Sequence, residues 1–368
     1  MSAYDLIRPA LMRIDEERAH KLALRLLGRV SRSRHLTALE ILLADRVPQL
    51  PISRLGLSFK NPVGLAAGFD KDGTAFPALA GIGFGFVEIG TVTPKPQRGN
   101  PGRRLFRIDR DDVIINRMGF NSCGLDSFCH NLDSLMPFPE SMPLGINIGK
   151  NSDTPNDRAI DDYLRCFKRV YKYADYIAIN VSSPNTPELR DLQQSSRLDE
   201  LLCALSEQRI QSSAEYDDKT VPIAIKISPD LDNDEIQAIV DTARARQIDA
   251  IIATNTTTAR PEDSIHETYQ QSGGLSGRML QSKSTQIIRT VSEAAEGSMT
   301  IIGCGGIFTP SDAWEKLLAG AHAVQIYSSM IFRGTGIVKQ TVAGLLELAK
   351  PYDSADFANA VALARLHQ

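Results

Sequence analysis

A serine, a lysine inside an apolar run and a set of asparagines are the residues of this chain best able to do chemistry. Ser183 stands in Asn180-Val181-Ser182-Ser183-Pro184-Asn185-Thr186, a segment that Pro184 and Pro187 stiffen, and its hydroxyl can accept and pass a proton. No histidine stands in that run or in any other strand-end motif. A Ser-His-Asp hydrolase triad therefore has no support, and a hydroxyl base needs local activation. Lys226 lies within Ala224-Ile225-Lys226-Ile227, where an unpaired charge is costly, so it requires an anionic or electron-rich partner. Lys71 ends Ala66-Ala67-Gly68-Phe69-Asp70-Lys71, where small residues leave room for a flat ligand and the ammonium can meet a carboxylate; the plainer reading is a solvated lysine. Asn116, Asn121, Asn147, Asn180, Asn185 and Asn255 each offer a donor pair and an acceptor, which suits the amide edges of a pyrimidine-like ring or a flavin. Any one of them alone could be a turn residue, but Asn147 and Asn180 fall in strand-like runs, where asparagine is depleted. Gly303-Cys304-Gly305-Gly306, Tyr327-Ser328-Ser329 and the cluster Gly273 to Gly277 can bring backbone N–H groups close to a phosphate, or can simply be tight turns.

These residues share one address. Eight short apolar runs cover 63–69, 86–92, 144–148, 176–181, 223–227, 250–253, 300–302 and 323–326, and each motif sits at the C-terminal end of one of them. Helical periodicity alternates with the runs, as at 161–173, 234–246 and 310–319, which implies parallel strands. The expected fold is α/β, a (β/α)8 TIM barrel with a small N-terminal helical extension and its chemistry on the C-terminal face of the strands. Unequal gaps put insertions at 93–143, 182–222 and 254–299, and the insertion after the fourth strand is a candidate lid.

Composition excludes several classes. Net charge is −3 and no run of Lys and Arg marks a nucleic-acid patch. Five cysteines form no C-x-x-C pair and no ligand spacing with the six histidines, so no metal site is expected. Cys304 and Cys123 are the thiols that fall near motifs. Residues 1–46 differ from the remainder, with nine basic and six acidic residues. Leu6, Ile7, Ala10, Leu11 and Ile14, then Ala19, Leu22, Ala23, Leu26, Leu27 and Val30, follow the spacing of two amphipathic helices, with Pro9 near the start of the first and Asp15 capping the second. The pair either buries its apolar faces on the barrel or lies on a membrane surface, where its basic residues favour anionic lipid. Residues 47–51 read as a linker.

The motifs resemble those of dihydroorotate dehydrogenases, and specifically of the membrane-associated class 2 family that passes electrons to quinone. The resemblance is carried by Ala66 to Lys71, Glu88 to Pro94, Asn116 to Asn121, Gly145 to Asn151, the serine segment, Ala253 to Thr257 and Gly274 to Gly277, all in family order. It covers essentially the whole chain, including Asp15 to His20.

The resemblance implies oxidation of (S)-dihydroorotate to orotate on FMN, in pyrimidine (UMP) biosynthesis, with quinone as electron acceptor. It implies Ser183 as catalytic base, where class 1 enzymes carry cysteine. It implies that Lys71, Asn116, Arg117, Met118, Gly119, Phe120, Asn180, Asn185, Asn255 and Thr256 hold substrate. FMN would rest on Ala67, Gly68, Phe69, Asp70, Lys71, Thr91, Asn147, Asn180, Lys226, Thr254, Gly277, Gly306, Tyr327 and Ser328, with Lys226 stabilising the reduced flavin. His20 and Arg107 would line a quinone tunnel formed by residues 1–46, ahead of a catalytic domain at 47–368. Peripheral contact with membrane lipid follows, on the cytoplasmic side of the inner membrane of a bacterium, since no transmembrane or transit segment is evident. A different FMN barrel, a phosphate-binding isomerase or lyase, and a non-catalytic membrane module are the rival readings.

Overall fold

The structure is a computed structural model that describes residues 3–33, 43–138, 142–261, 266–352, 354 and 356–367, apart from the side chains of residues 3, 5–7 and 45. Residues 34–42 of the expected N-terminal segment, and the side chains of Leu6 and Ile7, lie outside the described residues.

A short antiparallel hairpin, β1 (Ile52–Arg54) and β2 (Leu57–Phe59), precedes the first apolar run. The chain continues through β3 (Val63–Leu65), β4 (Phe86–Val92), β5 (Leu105–Ile108), β6 (Val113–Asn116), β7 (Leu144–Ile148), β8 (Tyr176–Asn180), β9 (Ile223–Ile227), β10 (Ala250–Ala253), β11 (Gly274–Gly277), β12 (Thr300–Cys304) and β13 (Ala323–Ile326). β3, β4, β7, β8, β9, β10, β12 and β13 are the eight runs, and they close into one parallel barrel in chain order, with β13 pairing back onto β3. The expected (β/α)8 barrel is the observed fold.

The helices are α1 (Ala3–Leu11), α2 (Glu16–Ser31), α3 (Phe76–Ala80), α4 (Leu125–Asp133), α5 (Ala159–Val170), α6 (Ser195–Glu215), α7 (Asn233–Ala245), α8 (Gln281–Ala295), α9 (Pro310–Leu318), α10 (Ser328–Arg333), α11 (Gly336–Ala349) and α12 (Phe357–Leu366). One follows each barrel strand. Capping boxes at Asp232/Glu235 and Thr309/Asp312 start α7 and α9 by satisfying their first free N–H groups.

The barrel interior is solid below its mouth. A Cβ on Gly64 would come within 2.4 Å of the Phe86 ring, and one on Gly145 within 2.1 Å of Tyr176. Glycine at these two inward positions is what admits the rings, which stand edge to face with centroids 6.4 Å apart.

Two insertions far apart in sequence build one structure at the mouth: β5 and β6 from 93–143 and β11 from 254–299 form an antiparallel sheet, order β11-β6-β5. Against it lies α2, which also packs on α3. Asp15 caps α2 by accepting from Arg18 N at 3.0 Å. Arg104 donates to both Glu17 oxygens, at 3.0 and 2.8 Å, and Arg103 reaches Glu16 at 3.1 Å. Proline chemistry at a helix start does not describe Pro9: it lies near the C-terminal end of α1, where the missing N–H costs one bond and the helix stops two residues later. On the outward side of α2, Leu22 and Leu26 are 44% and 51% exposed. No described helix is long and apolar enough to cross a membrane.

Candidate active site

At the C-terminal ends of the strands the barrel opens into a cavity of about 240 Å³. Its walls come from Lys226 of β9, from the loops after β3, β4, β8, β10, β12 and β13, from the three-stranded sheet, and from α2. Register brings the polar residues together: β8 pairs with β9 so that Asn180 stands beside Lys226, and β4 pairs with β7 so that Gly90 stands beside Asn147.

The asparagines form two connected groups. Asn180 Nδ2 donates to Thr91 Oγ1 and Asn147 Oδ1, at 3.0 and 3.1 Å. Asn255 Nδ2 donates to Asn180 Oδ1 at 3.2 Å and to Ser182 Oγ at 3.0 Å. In the second group Asn185 Nδ2 donates to Asn116 Oδ1 at 2.9 Å, while Asn121, tied to neither group, accepts from Lys71 Nζ at 2.7 Å. Burial, reinforced by the Arg104 charge, pulls the Lys71 ammonium down to about 8. Ser183 lines the cavity at 7% exposure, and its Oγ accepts the Asn185 N–H at 3.3 Å.

Lys226 has a partner that sequence reasoning did not name. Glu88, fully buried, places Oε1 3.7 Å from Lys226 Nζ and accepts from Asn147 at 2.9 Å, Gln325 at 2.7 Å and Tyr176 at 3.0 Å. β4 and β9 are separated around the ring by β7 and β8, so this pair meets across the barrel interior. The sequence signal was the one that marked Lys226, a charged residue inside an apolar strand.

Beside Lys226 the wall is glycine-rich. Gly277, Gly305 and Gly306 have φ of +105°, +123° and +71°, a region that side chains disfavour. A Cβ on Gly277 would meet Asp112 O at 2.1 Å. Ser276 Oγ and Ser328 Oγ are 2.9 Å apart, and Ser329 Oγ is buried without a hydrogen-bond partner among the described residues.

Most of the expected residues share this cavity: Ser183, Lys71, Asn116, Met118, Gly119, Phe120, Asn180, Asn185, Asn255 and Thr256, with Ala67, Gly68, Thr91, Lys226, Thr254, Gly277, Gly306, Tyr327 and Ser328. Five others do not form its wall. Arg117 turns outward over the Phe106 ring and donates to Arg103 O and Gln271 Oε1, both at 3.0 Å. Asp70 is fully buried beneath the cavity and accepts the Thr74 and Ala75 N–H groups ahead of α3. Phe69 packs between His20 and Tyr327, and Asn147 lies one layer behind Asn180. Arg107 is spent on Asp109 and the Met12 carbonyl, so it fastens the α1–α2 turn to the sheet. His20 does line the cavity, and burial holds its imidazole down at about 4. The thiols are not poised for reaction: burial pushes Cys123 up to about 12 and raises Cys304 too.

Comparison with known proteins agrees with this geometry. The family model for dihydroorotate dehydrogenase matches residues 49–348. The chain is 50% identical over 339 residues to proteins of Yersinia pseudotuberculosis (serotype O:1b, strain IP 31758) and Yersinia pestis bv. Antiqua (strain Angola), each named dihydroorotate dehydrogenase (quinone). The match spans 92% of this chain and 98% of each relative. Among solved structures, Eimeria tenella DHODH in complex with ferulenol superposes with a TM-score of 0.87 at 38% identity, covering 96% of this chain and 98% of that one. The ligand-free type from the same organism gives 0.83 at 39% identity, covering 92% and 97%. With its barrel matched by the family model and nearly its full length by relatives half identical to it, this chain belongs to the dihydroorotate dehydrogenase family.

Proposed function

We propose that the protein oxidises dihydroorotate to orotate with bound FMN and delivers the electrons to a quinone, a step of pyrimidine biosynthesis. The observation that carries this reading is the joint placement of Ser183, Lys71 and the two asparagine groups around one cavity whose rim includes α2. When bound, FMN accepts a hydride and passes two electrons on.

The cavity wall fits such a group. Gln325 Oε1 and Asn185 Oδ1 are buried acceptors with no partner among the described residues, and each suits the imide N–H of a flavin or a pyrimidine. The cradle of Gly277, Gly305, Gly306 and Ser328 would take the phosphate, Lys226 and Asn180 the ring system, with Ala67, Gly68, Thr91, Thr254 and Tyr327 closing around it. Lys71 binds the substrate carboxylate through its ammonium. Asn116, Asn185, Asn255 and Thr256 orient the ring amides, and Met118, Gly119 and Phe120 cover it. Ser183 Oγ takes the proton from C5 while its own hydroxyl proton passes to a water at the cavity mouth, as hydride leaves C6 for the flavin, and the buried setting keeps the reacting carbons from bulk water.

Quinone enters past His20. The exposed Leu22 and Leu26, with Arg25 and Arg29 on the same helix, rest α2 on the lipid surface as a peripheral contact on the cytoplasmic side of the membrane. Anaerobic mixing of the purified yellow protein with dihydroorotate tests cofactor and substrate together. Bleaching of the flavin absorbance is expected. A bound flavin that stays oxidised sinks the substrate assignment, and a colourless protein sinks the cofactor assignment.

A further inference from the structure

The segment that carries Ser183 runs from the end of β8 through a left-handed residue, Glu188 (φ +53°), and a short 3-10 turn, Leu189–Gln193, into α6. Arg190 in that turn folds back toward the barrel and uses every nitrogen of its guanidinium. Nε donates to the Ser182 carbonyl at 3.2 Å, Nη2 to the Thr256 carbonyl at 3.0 Å, and Nη1 to Asp230 Oδ2 at 2.9 Å. The Ser182 carbonyl belongs to the peptide group that leads into Ser183, and Thr256 is a cavity wall residue.

Asp230, just beyond β9, is the anchor. It also accepts from Lys283 Nζ at 2.6 Å, from Thr258 N and Oγ1 at 2.8 and 3.0 Å, and from the Thr257 hydroxyl. These donors hold its carboxyl far below the usual carboxylate range, so the anchor stays charged at working pH. Neither Arg190 nor Asp230 lines the cavity. The loops after β8, β9 and β10 are thus joined outside the site at one planar fork.

We infer that Arg190, held by Asp230, is a positioning residue that fixes the Ser182–Ser183 peptide so that the Ser183 hydroxyl meets the substrate carbon it deprotonates. The role rests on the reaction proposed above. A rigid planar donor with three separate acceptors is what this geometry requires, and lysine keeps the charge without the fork. The segment has a second tie independent of Arg190: Gln193 Oε1 accepts the Ser228 N–H at 3.0 Å, which keeps the loop on the barrel when the fork is lost.

The test is stopped-flow reduction of the holoenzyme by dihydroorotate, followed by reoxidation with quinone, for wild type, Arg190→Lys, Arg190→Ala and Asp230→Asn. Both Arg190 variants are expected to lose tenfold or more in flavin-reduction rate, while dihydroorotate Kd changes less than threefold and reoxidation keeps its wild-type rate. Should Arg190→Ala fail to hold flavin, Arg190→Lys and Asp230→Asn carry the test. Arg190→Lys at the wild-type rate overturns the role, because charge alone would then suffice. A parallel loss in Kd and in reoxidation also overturns it, because the fork would then be a general structural tie. A wild type that dihydroorotate does not bleach overturns the proposed reaction and this role with it, which separates the two failures.

Discussion

Lys226 Nζ and Glu88 Oε1 face each other at 3.7 Å inside the barrel, with the two side chains 6% and 0% exposed. Removing one member leaves the other charge buried, which costs about 3–5 kcal/mol, whereas apolar replacement of both partners is close to neutral. Glu88→Ala and Lys226→Met are each expected to lower stability by about that amount, and the double variant by less than the sum of the two. Urea unfolding of the four proteins checks it; additive losses would mean that the pair does not interact.

Ser183→Ala is expected to cut flavin reduction by about a hundredfold to ten-thousandfold while leaving bound flavin and dihydroorotate Kd near their wild-type values. Anaerobic stopped-flow with a flavin absorbance spectrum of the variant reads both quantities.

Lys71 gives a pH dependence of definite sign. Burial depresses its ammonium to about 8, so the charge proposed to meet the substrate carboxylate is present near pH 7 and lost as pH climbs through about 8. KM for dihydroorotate should rise several-fold between pH 7 and 9. In Lys71→Met, the KM is expected to be higher by about tenfold to a hundredfold, the worth of a charged hydrogen bond, and to be flat over the same range. A wild-type KM that stays constant to pH 9 would remove the carboxylate role.

The proposed lipid contact of α2 predicts that changes on its outward face separate the two half-reactions. Leu22→Glu with Leu26→Glu should abolish flotation with anionic lipid vesicles and slow reduction of vesicle-borne quinone at least tenfold, yet leave reduction of a water-soluble acceptor unchanged. Equal loss with both acceptors would make these leucines structural instead.

Barrel strands were legible because each apolar run carries its motif at the same end. Length was less so: β3 ends at Leu65, sooner than the expected Phe69, because Ala66 to Lys71 leave the ladder to line the mouth, and β12 runs on to Cys304. Asp15 declared itself as a cap because capping is local chemistry. Hidden from sequence were the partnerships that need the closed ring, such as Glu88 with Lys226, and the sheet that joins β11 to β6 across 157 or more intervening residues. Arg117, Asp70 and Arg107 show the converse. A motif residue beside the site can serve the backbone that shapes it, and only side-chain direction distinguishes the two.

The rings of Phe86 and Tyr176, admitted by Gly64 and Gly145, have a consequence for traffic. They cork the barrel, so nothing crosses it from the opposite end. On the proposed reaction, a nucleotide-precursor molecule and an oily electron carrier, which share no solubility, would both be served from one vestibule, with the loop side as the door to water and the α2 side as the door to lipid.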